Sequence, residues 1–222
     1  MKRSRINQAL REARETCRAH GFALPDWADW SLADHAGEPE RSRFLAERQI
    51  GWDVTDFGQG AFERRGLALL CIRNGIQGRA DERPYAEKLL FVGEDQETPF
   101  HAHKVKLEDI IVRGGGNLMV EFAREGSFPL GDWTPRVDGR AVDPFAGPVR
   151  IVPGASITIP RGLQHRFWGE GGRGAVFVAE VSQSNDDFGD NFFLEEIGRF
   201  STIEEDEPPL YPLWNEVAGA SR

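Results

Sequence analysis

The sequence predicts a mainly β protein, a β-sandwich or small barrel, preceded by a short helical segment. From Gly51 onward, short apolar and β-branched runs alternate with Gly, Pro, Asn and Asp, which is typical of strands joined by turns. Before Gly51, apolar residues recur at helical spacing instead. The 222 residues are enough for one sizeable domain with its own core.

Residues 1–50 are predicted to form a helical segment that packs on the β domain. A first helix is expected over residues 5–20, because apolar residues recur there at helical spacing and Gly21 ends the run. A second, shorter helix is expected over residues 39–48, because Pro39 suits the first position of a helix.

The β domain is predicted to span residues 51–207, followed by a C-terminal tail over residues 208–222. The Asp138-Gly139 pair predicts a tight hairpin turn, and the acidic run 204–207 is predicted to be solvated. The expected strands cover residues 66–73, 86–92, 98–105, 109–113, 116–122, 149–151, 156–159, 165–169 and 175–181.

Composition excludes several kinds of partner. The formal net charge is −9 and no basic cluster offsets it, so we expect no nucleic-acid partner. No apolar run approaches the length of a membrane span, so we expect no membrane partner. The two cysteines, Cys17 and Cys71, do not make a disulfide framework, so we expect reduced thiols and a cytoplasmic location.

Histidine spacing predicts a metal site. His101 and His103 are separated by one residue, so on a strand both side chains point to the same face. Glu108 and His165 add a carboxylate and a third imidazole, which together suit Mn²⁺, Fe²⁺, Co²⁺, Ni²⁺ or Zn²⁺. On its own, the histidine pair is equally consistent with two histidines that bind nothing.

The spacing of these ligands carries a structural requirement. The step from His103 to Glu108 is odd, so simple alternation would send Glu108 to the opposite face of the strand. A bulge or a strand break between the two residues is therefore predicted.

Two motifs in this order resemble those of the cupin family. In the first, His101-Ala102-His103 is followed by Glu108 and then by Gly115, although the leading glycine, Gly93, stands farther from the histidines than is usual. In the second, Gly154, Pro160-Arg161-Gly162 and His165 match, while Gly169 replaces the usual Asn. The resemblance implies a cupin-type double-stranded β-barrel, or jelly roll, with a metal bound by both motifs.

More of the chain, from residue 50 to about residue 207, resembles one branch of the cupins, the bacterial D-lyxose isomerases. The segments that carry this resemblance are Gly51-Trp52-Asp53-Val54-Thr55-Asp56-Phe57-Gly58, Arg73-Asn74-Gly75, Pro84-Tyr85-Ala86-Glu87-Lys88, the run from His103 to Asn117, Glu180-Val181-Ser182, Asn185-Asp186-Asp187 and Asp190-Asn191.

The resemblance implies an aldose–ketose isomerase that interconverts D-lyxose and D-xylulose, and in addition D-mannose and D-fructose, through an enediol intermediate. The expected cofactor is a divalent metal, with Mn²⁺ first, that polarises the sugar carbonyl. The expected partners are a small-molecule sugar and a second copy of the chain in a homodimer.

Five residues are candidates for catalytic roles. Lys106 and Lys88 either face the metal or are solvated, and Glu180 lies either in the cavity or at its rim. Asp190 and Glu195 flank a short apolar segment expected near the cavity mouth. An isomerase needs a base to move the proton, and Glu180, Asp190 and Glu195 all remain candidates.

Two other functions fit the same metal ligands. One is a cupin dioxygenase that uses iron and O₂, and the other is a non-catalytic sugar-binding cupin. The set of Lys88, Lys106 and Glu180 favours the isomerase, because proton transfer requires acidic and basic groups beside the metal.

Overall fold

A computed structural model of the chain describes residues 1–129 and 133–218, so the last four residues of the predicted 208–222 tail lie outside the described residues. Its architecture is a cupin-type barrel of two antiparallel sheets with helices at the N-terminus, which confirms the predicted fold class. The helices are α1 (Arg3–Ala19), α2 (Leu32–Gly37) and α3 (Pro39–Glu47), with a 3₁₀ turn at Asp26–Asp29. Among the described residues, no helix combines the length and the apolar character needed to cross a membrane.

One sheet has eight strands in the order β1-β2-β3-β12-β5-β10-β7-β8. Its strands are β1 (Gly51–Thr55), β2 (Leu67–Arg73), β3 (Tyr85–Val92), β5 (Glu108–Gly115), β7 (Arg136–Val137), β8 (Arg140–Ala141), β10 (Ser156–Ile159) and β12 (Val176–Gln183). The other sheet has five strands in the order β13-β4-β11-β6-β9. These are β4 (Glu97–Ala102), β6 (Leu118–Ala123), β9 (Val149–Ile151), β11 (Gln164–Gly169) and β13 (Phe192–Phe193).

The two sheets face each other across an apolar core. Strand side chains alternate between faces, and the even-numbered residues of β3, β5 and β12 turn inward. The core between the sheets contains Leu90, Val92, Ile110, Val112, Leu118, Val120, Ile151, Ile157, Phe167, Val176 and Val178. The same alternation turns the even-numbered polar residues of these three strands inward: Lys88, Glu108 and Glu180.

The predicted strands are all present, with one shift that matters for function. The strand predicted over residues 98–105 ends at Ala102, because residues 103–107 form a loop in which the N–H groups of residues 104–106 bond to Asp190 rather than to a neighbouring strand. The predicted hairpin is confirmed: Asp138 and Gly139 have φ of 46° and 83°, as expected of a turn with two residues in the left-handed region.

Helix α1 packs on the outer face of the eight-stranded sheet. Its buried residues Ile6, Leu10 and Cys17 share a core cluster with Leu70 of β2 and Phe177 of β12. The helix thereby covers the outer apolar residues of the strands whose inner residues line the cavity.

The acidic run near the C-terminus is largely exposed, as predicted, and some of its side chains also contact α1. Arg3 Nη2 lies 2.6 Å from Glu205 Oε1, and Asn7 Nδ2 donates to Glu207 Oε1 at 2.6 Å. Farther on, Trp214 is only 1% exposed. The described C-terminal residues therefore pack against the N-terminal helix, because Arg3 is buried and needs carboxylate partners.

Replacing Leu10 with Ala is expected to lower the free energy of unfolding by about 3 kcal/mol, because Leu10 is fully buried and a cavity would replace its side chain. Urea denaturation of the metal-free protein measures the change. Arg11→Ala, on the exposed face of the same helix, is the matched control and should change stability by less than about 0.5 kcal/mol. Equal effects of the two variants would contradict the packing of α1 on the sheet.

Candidate metal centre and its cavity

Four side chains converge between the two sheets. His101 of β4 and His165 of β11 are directly paired across the five-stranded sheet, His103 follows the end of β4, and Glu108 begins β5 on the facing sheet. One ligand atom from each of the four lies within 4.8 Å of the others, and all four residues are buried. The four residues predicted as ligands are thus brought together at one point.

The predicted break between His103 and Glu108 is confirmed. Strand β4 ends at Ala102 and β5 starts at Glu108, so the chain crosses from one sheet to the other within residues 103–107. The crossing returns Glu108 to the inward row of β5, where it lies beside Ile110. A continuous strand would have turned the carboxylate away from the histidines.

All three histidines direct Nδ1 to a backbone carbonyl, which leaves Nε2 available as the ligand atom. A backbone carbonyl can only accept a hydrogen bond, so each Nδ1 that contacts one must carry the proton. The contacts are His101 Nδ1 to Pro99 O at 2.8 Å, His103 Nδ1 to Asp190 O at 2.9 Å and His165 Nδ1 to Leu163 O at 2.9 Å. In the neutral imidazoles, every Nε2 therefore has a free lone pair for a cation.

Two atoms of this cluster have no hydrogen-bond partner. Glu108 Oε1 and His165 Nε2 are fully buried and lie 2.9 Å apart, with no hydrogen bond made by either atom. Leaving buried polar atoms without partners is costly. A divalent cation would satisfy both at once, and three imidazoles with one carboxylate match its ligand chemistry. The residues therefore fit a metal ion.

Burial keeps the imidazoles of His101 and His103 neutral. It lowers the pKa of His101 well below its ordinary range, with further lowering by His165 and His103. Burial, together with the positive charge of Lys106, lowers the pKa of His103 to about 4. Burial would raise the pKa of Glu108, but the positive charge of Lys106 outweighs it and holds that pKa well below its usual range. At neutral pH, protons do not compete for the ligand atoms of His101, His103 and Glu108.

The metal-free protein is expected to lose stability as pH falls from about 6.5 toward 4. In this window the unfolded chain protonates His103 at its ordinary pKa of 6.5, while the folded chain protonates it only near 4. Because the pKa of His103 is lower in the folded chain than in the unfolded chain, the full stability is present above pH 6.5 and is lost as pH falls. The loss from His103 alone is on the order of 3 kcal/mol at pH 4.

Urea unfolding of the metal-free protein across this pH range measures the effect. The variant His103→Asn removes one titrating group and should make the curve less steep, while His101, whose pKa is also lowered, keeps part of the slope. A wild-type curve that is already flat between these pH values would contradict a buried, neutral His103.

Two lysines and a glutamate form a buried group of ion pairs beside the metal ligands. Lys106 Nζ lies 2.6 Å from Glu180 Oε1 and 3.0 Å from Glu108 Oε2, so it bridges the two carboxylates. Lys88 Nζ donates to Asn185 Oδ1 at 2.6 Å and lies 3.6 Å from Glu180. The structure thus brings three predicted catalytic residues, Lys88, Lys106 and Glu180, into the cavity.

Glu180 is held by one oxygen and leaves the other free. Oε1 accepts hydrogen bonds from Lys106 Nζ at 2.6 Å and from Ser182 Oγ at 2.9 Å, whereas Oε2 accepts none from the described residues. Burial would raise the pKa of Glu180, but the charges of Lys106 and Lys88 outweigh it and hold that pKa below its usual range. Glu180 is therefore a buried, ionised carboxylate that lines the cavity.

Asp190 and Glu195 do not line this cavity. Asp190 is buried, but both of its carboxylate oxygens accept backbone N–H groups of residues 104–106. Glu195 has a half-exposed side chain and pairs with Arg65 at 2.6 Å on the surface. Of the three carboxylates considered as the base, only Glu180 faces the metal ligands.

The cavity also contains a buried charge cluster that the sequence analysis missed. Arg199 Nη2 lies 2.5 Å from Asp53 Oδ2 and 3.1 Å from Asp187 Oδ1. Asp53 lies in β1 between apolar residues, and a lone acid in such a strand was the available signal. Asp187 and Arg199 come from irregular segments, where spacing predicts no facing direction. Apolar side chains complete the wall: Phe57, Leu67, Leu69, Leu90, Phe167 and Phe193.

Solved structures share this fold. An L-ribose isomerase of Cellulomonas parahominis superposes with a TM-score of 0.62 at 19% identity, covering 92% of this chain and 98% of that one. An L-ribose isomerase of Acinetobacter sp. DL28, solved in complex with L-ribose, gives a TM-score of 0.62 at 16% identity, with the same coverage of both chains. At these identities the likeness concerns the fold.

Sequence comparison is more specific. A D-lyxose/D-mannose isomerase of Escherichia coli O157:H7 is 42% identical over 226 residues, covering 97% of this chain and 98% of that protein. One from Serratia proteamaculans is 41% identical over 227 residues, covering 97% of each. The model of the family described as D-lyxose isomerase matches residues 1–217. With a match over nearly its whole length, the chain belongs to the D-lyxose isomerase family.

Proposed function

We propose that the protein is a metal-dependent aldose–ketose isomerase that interconverts D-lyxose and D-xylulose, and also D-mannose and D-fructose. The observation that carries this proposal is the placement of the Lys106–Glu180 pair, 2.6 Å apart, directly beside four converging metal ligands. Family membership supports the reaction type and these sugars.

His101, His103, Glu108 and His165 would hold the divalent cation, which we propose is Mn²⁺. When bound, the cation would act as a Lewis acid that polarises the sugar carbonyl and makes the neighbouring C–H more acidic. The protein contributes three imidazoles, fixed by their Nδ1 hydrogen bonds, and one carboxylate that stays ionised.

Glu180 is the proposed base. Its Oε2 makes no hydrogen bond with the described residues, whereas its Oε1 is fixed by Lys106 and Ser182. An ionised carboxylate held by one oxygen can take a proton from C2 of the aldose with the other and return it to C1. The intermediate between these two transfers is an enediol, and the hydroxyl proton of O2 passes to O1 in the same sequence, so that atoms and charge balance.

Lys106 and Lys88 are proposed to stabilise negative charge that develops on the sugar oxygens. Lys106 stays protonated because Glu108 and Glu180 raise its pKa, although burial opposes them. A preorganised cation in a buried site is worth more than one in water, since no solvent must reorganise. Lys88 is fixed by Asn185 and faces the same carboxylate from the adjacent strand.

The cluster of Asp187 and Arg199, with Asn191 nearby, is proposed to receive the hydroxyl groups at the far end of the open-chain sugar. These side chains line the same cavity as the metal ligands and supply both donors and acceptors. Such groups orient a polyol, because each hydroxyl can donate and accept one hydrogen bond.

This cavity favours an isomerase over the two alternatives from the sequence. Two lysines and a carboxylate with one free oxygen line the cavity beside the metal ligands. Proton transfer requires acidic and basic groups of this kind. A dioxygenase pocket would need space for O₂ beside mostly apolar walls. A sugar-binding protein would need no ionised base whose free oxygen lies beside the ligands.

We further propose a cytoplasmic homodimer. Both cysteines are buried and unpaired, which fits a reducing compartment. Tyr85 and Val181, on the outer face of the eight-stranded sheet, are 45% and 41% exposed, and large apolar side chains on one sheet face are typical of subunit contacts.

Incubating the Mn²⁺-loaded protein with D-lyxose and assaying for D-xylulose tests the function. Ketose formation that is abolished by a chelator and restored by Mn²⁺ is the expected result. Absence of ketose, with oxygen uptake in the presence of Fe²⁺ and an aromatic or thiol substrate, would favour the dioxygenase. Sugar binding without turnover would favour the non-catalytic protein.

A further inference from the structure

The loop between β4 and β5, residues 103–107, carries two cavity side chains, His103 and Lys106. The residues between them, Lys104 and Val105, are exposed, with Val105 at 46%. The ends of the loop are tied to the chain, since Gly162 N–H donates to His103 O at 2.7 Å and Gln183 N–H of β12 donates to Leu107 O at 3.1 Å. The N–H groups of residues 104–106 have no strand partner, yet this part of the loop must hold an ammonium group in register with Glu108 on the facing sheet. Its geometry therefore depends on contacts from another part of the chain.

Asp190 supplies those contacts. Its Oδ1 accepts hydrogen bonds from the backbone N–H of Lys104 at 2.7 Å and of Val105 at 2.8 Å. Its Oδ2 accepts one from the N–H of Lys106 at 3.0 Å. Three consecutive N–H groups that converge on one anion form a backbone nest, and bonds to an ionised acceptor are stronger than those to a neutral one.

The same residue also orients a metal ligand. The backbone carbonyl of Asp190 accepts the Nδ1 hydrogen of His103 at 2.9 Å, which fixes the tautomer and the direction of Nε2. Asp190 is 2% exposed, and both carboxylate oxygens are occupied by the loop. Asp190 therefore acts through His103 and Lys106 rather than on the sugar.

We propose that Asp190 is a positioning residue that fixes the 103–107 loop, and with it His103 and Lys106. Its neighbours Asp187 and Asn191 line the cavity, so Asp190 also couples the cavity wall to the metal centre. The effect on turnover rests on the proposed function, whereas the effect on metal binding does not.

Amide hydrogen exchange of the metal-free, full-length protein is the first test. The amides of Lys104, Val105 and Lys106 should exchange at least about 100-fold more slowly than that of Gly172, an exposed turn residue, because opening the nest must precede exchange. Exchange as fast as that of Gly172 would overturn the proposal. This measurement needs no variant, so it decides the question even if substitutions at Asp190 prevent folding.

The variant Asp190→Asn is the second test, because it keeps the size of the side chain but turns one acceptor into a donor and removes the charge. The dissociation constant for Co²⁺ should rise about tenfold or more, and the visible spectrum of the Co²⁺ form should change. With D-lyxose, kcat should fall while KM changes by less than about threefold.

Glu196→Gln, at an exposed acid on the same segment, is the matched control and should leave all of these values unchanged. A Co²⁺ affinity and spectrum identical to wild type in Asp190→Asn would refute the positioning role. If the wild-type protein forms no ketose from D-lyxose, the proposed function fails, and the Co²⁺ measurements still decide the role of Asp190.

Discussion

Glu180→Gln should lower kcat for D-lyxose by about 10³-fold, because the amide cannot accept the proton that the carboxylate takes from the sugar. The change removes one charge from a cavity where Lys106 loses its closest partner, 2.6 Å away. Metal binding should change by less than about threefold, because Glu180 is not one of the four converging ligands. Steady-state kinetics and Mn²⁺ titration of the same preparation measure both effects.

Glu125→Gln, at an exposed acid on the loop after β6, is the control and should keep wild-type kcat. A kcat for Glu180→Gln within tenfold of wild type would exclude Glu180 as the base. Loss of Mn²⁺ together with activity would indicate instead that Glu180 supports the metal centre.

The second large effect is expected for His165→Ala. His165 is 1% exposed, and its Nε2 is one of the two buried atoms of the ligand cluster that have no hydrogen-bond partner. Changes to residues that only support metal ligands cost 10- to 100-fold in affinity, so loss of a ligand should weaken Mn²⁺ binding by more than about 100-fold. Activity should fall in parallel and recover in part at high Mn²⁺ concentration.

Metal content after dialysis and isothermal titration measure this effect. His20→Ala removes an exposed imidazole that stacks on Phe177, far from the ligand cluster, and should retain its metal. Full metal content in His165→Ala would contradict the assignment of the site. The thermal stability of the metal-free variant separates loss of a ligand from loss of the fold.

Much of the fold followed from local patterns. The strands around His101 and His165 carry strong apolar alternation and clear turn residues, so their positions could be predicted. Strand β1 was not predicted, because Gly51–Thr55 is short and has Asp53 at its centre. Helix α2 was not predicted either, since its six residues bury none of their side chains, and its main signal is the Ser31–Asp34 capping box.

The metal ligands could be predicted for a physical reason that does not extend to the rest of the site. His101, His103 and His165 lie on or next to strands, where spacing sets direction. Asp190 and Glu195 lie in an irregular segment, so their roles depended on turns that the sequence does not specify. Arg199 illustrates the same limit, because its partners Asp53 and Asp187 are distant in sequence.

Isomerisation of D-lyxose in D₂O tests most directly whether a protein base moves the proton beside the metal centre. With Glu180 as the base, D-xylulose is expected to acquire solvent deuterium at C1, and the rate of incorporation should fall with kcat in Glu180→Gln. Prolonged incubation allows many turnovers, so even a well-shielded base would exchange its proton. Ketose that forms at the wild-type rate with no deuterium at C1 would contradict the account, because the hydrogen would then pass directly between the two carbons.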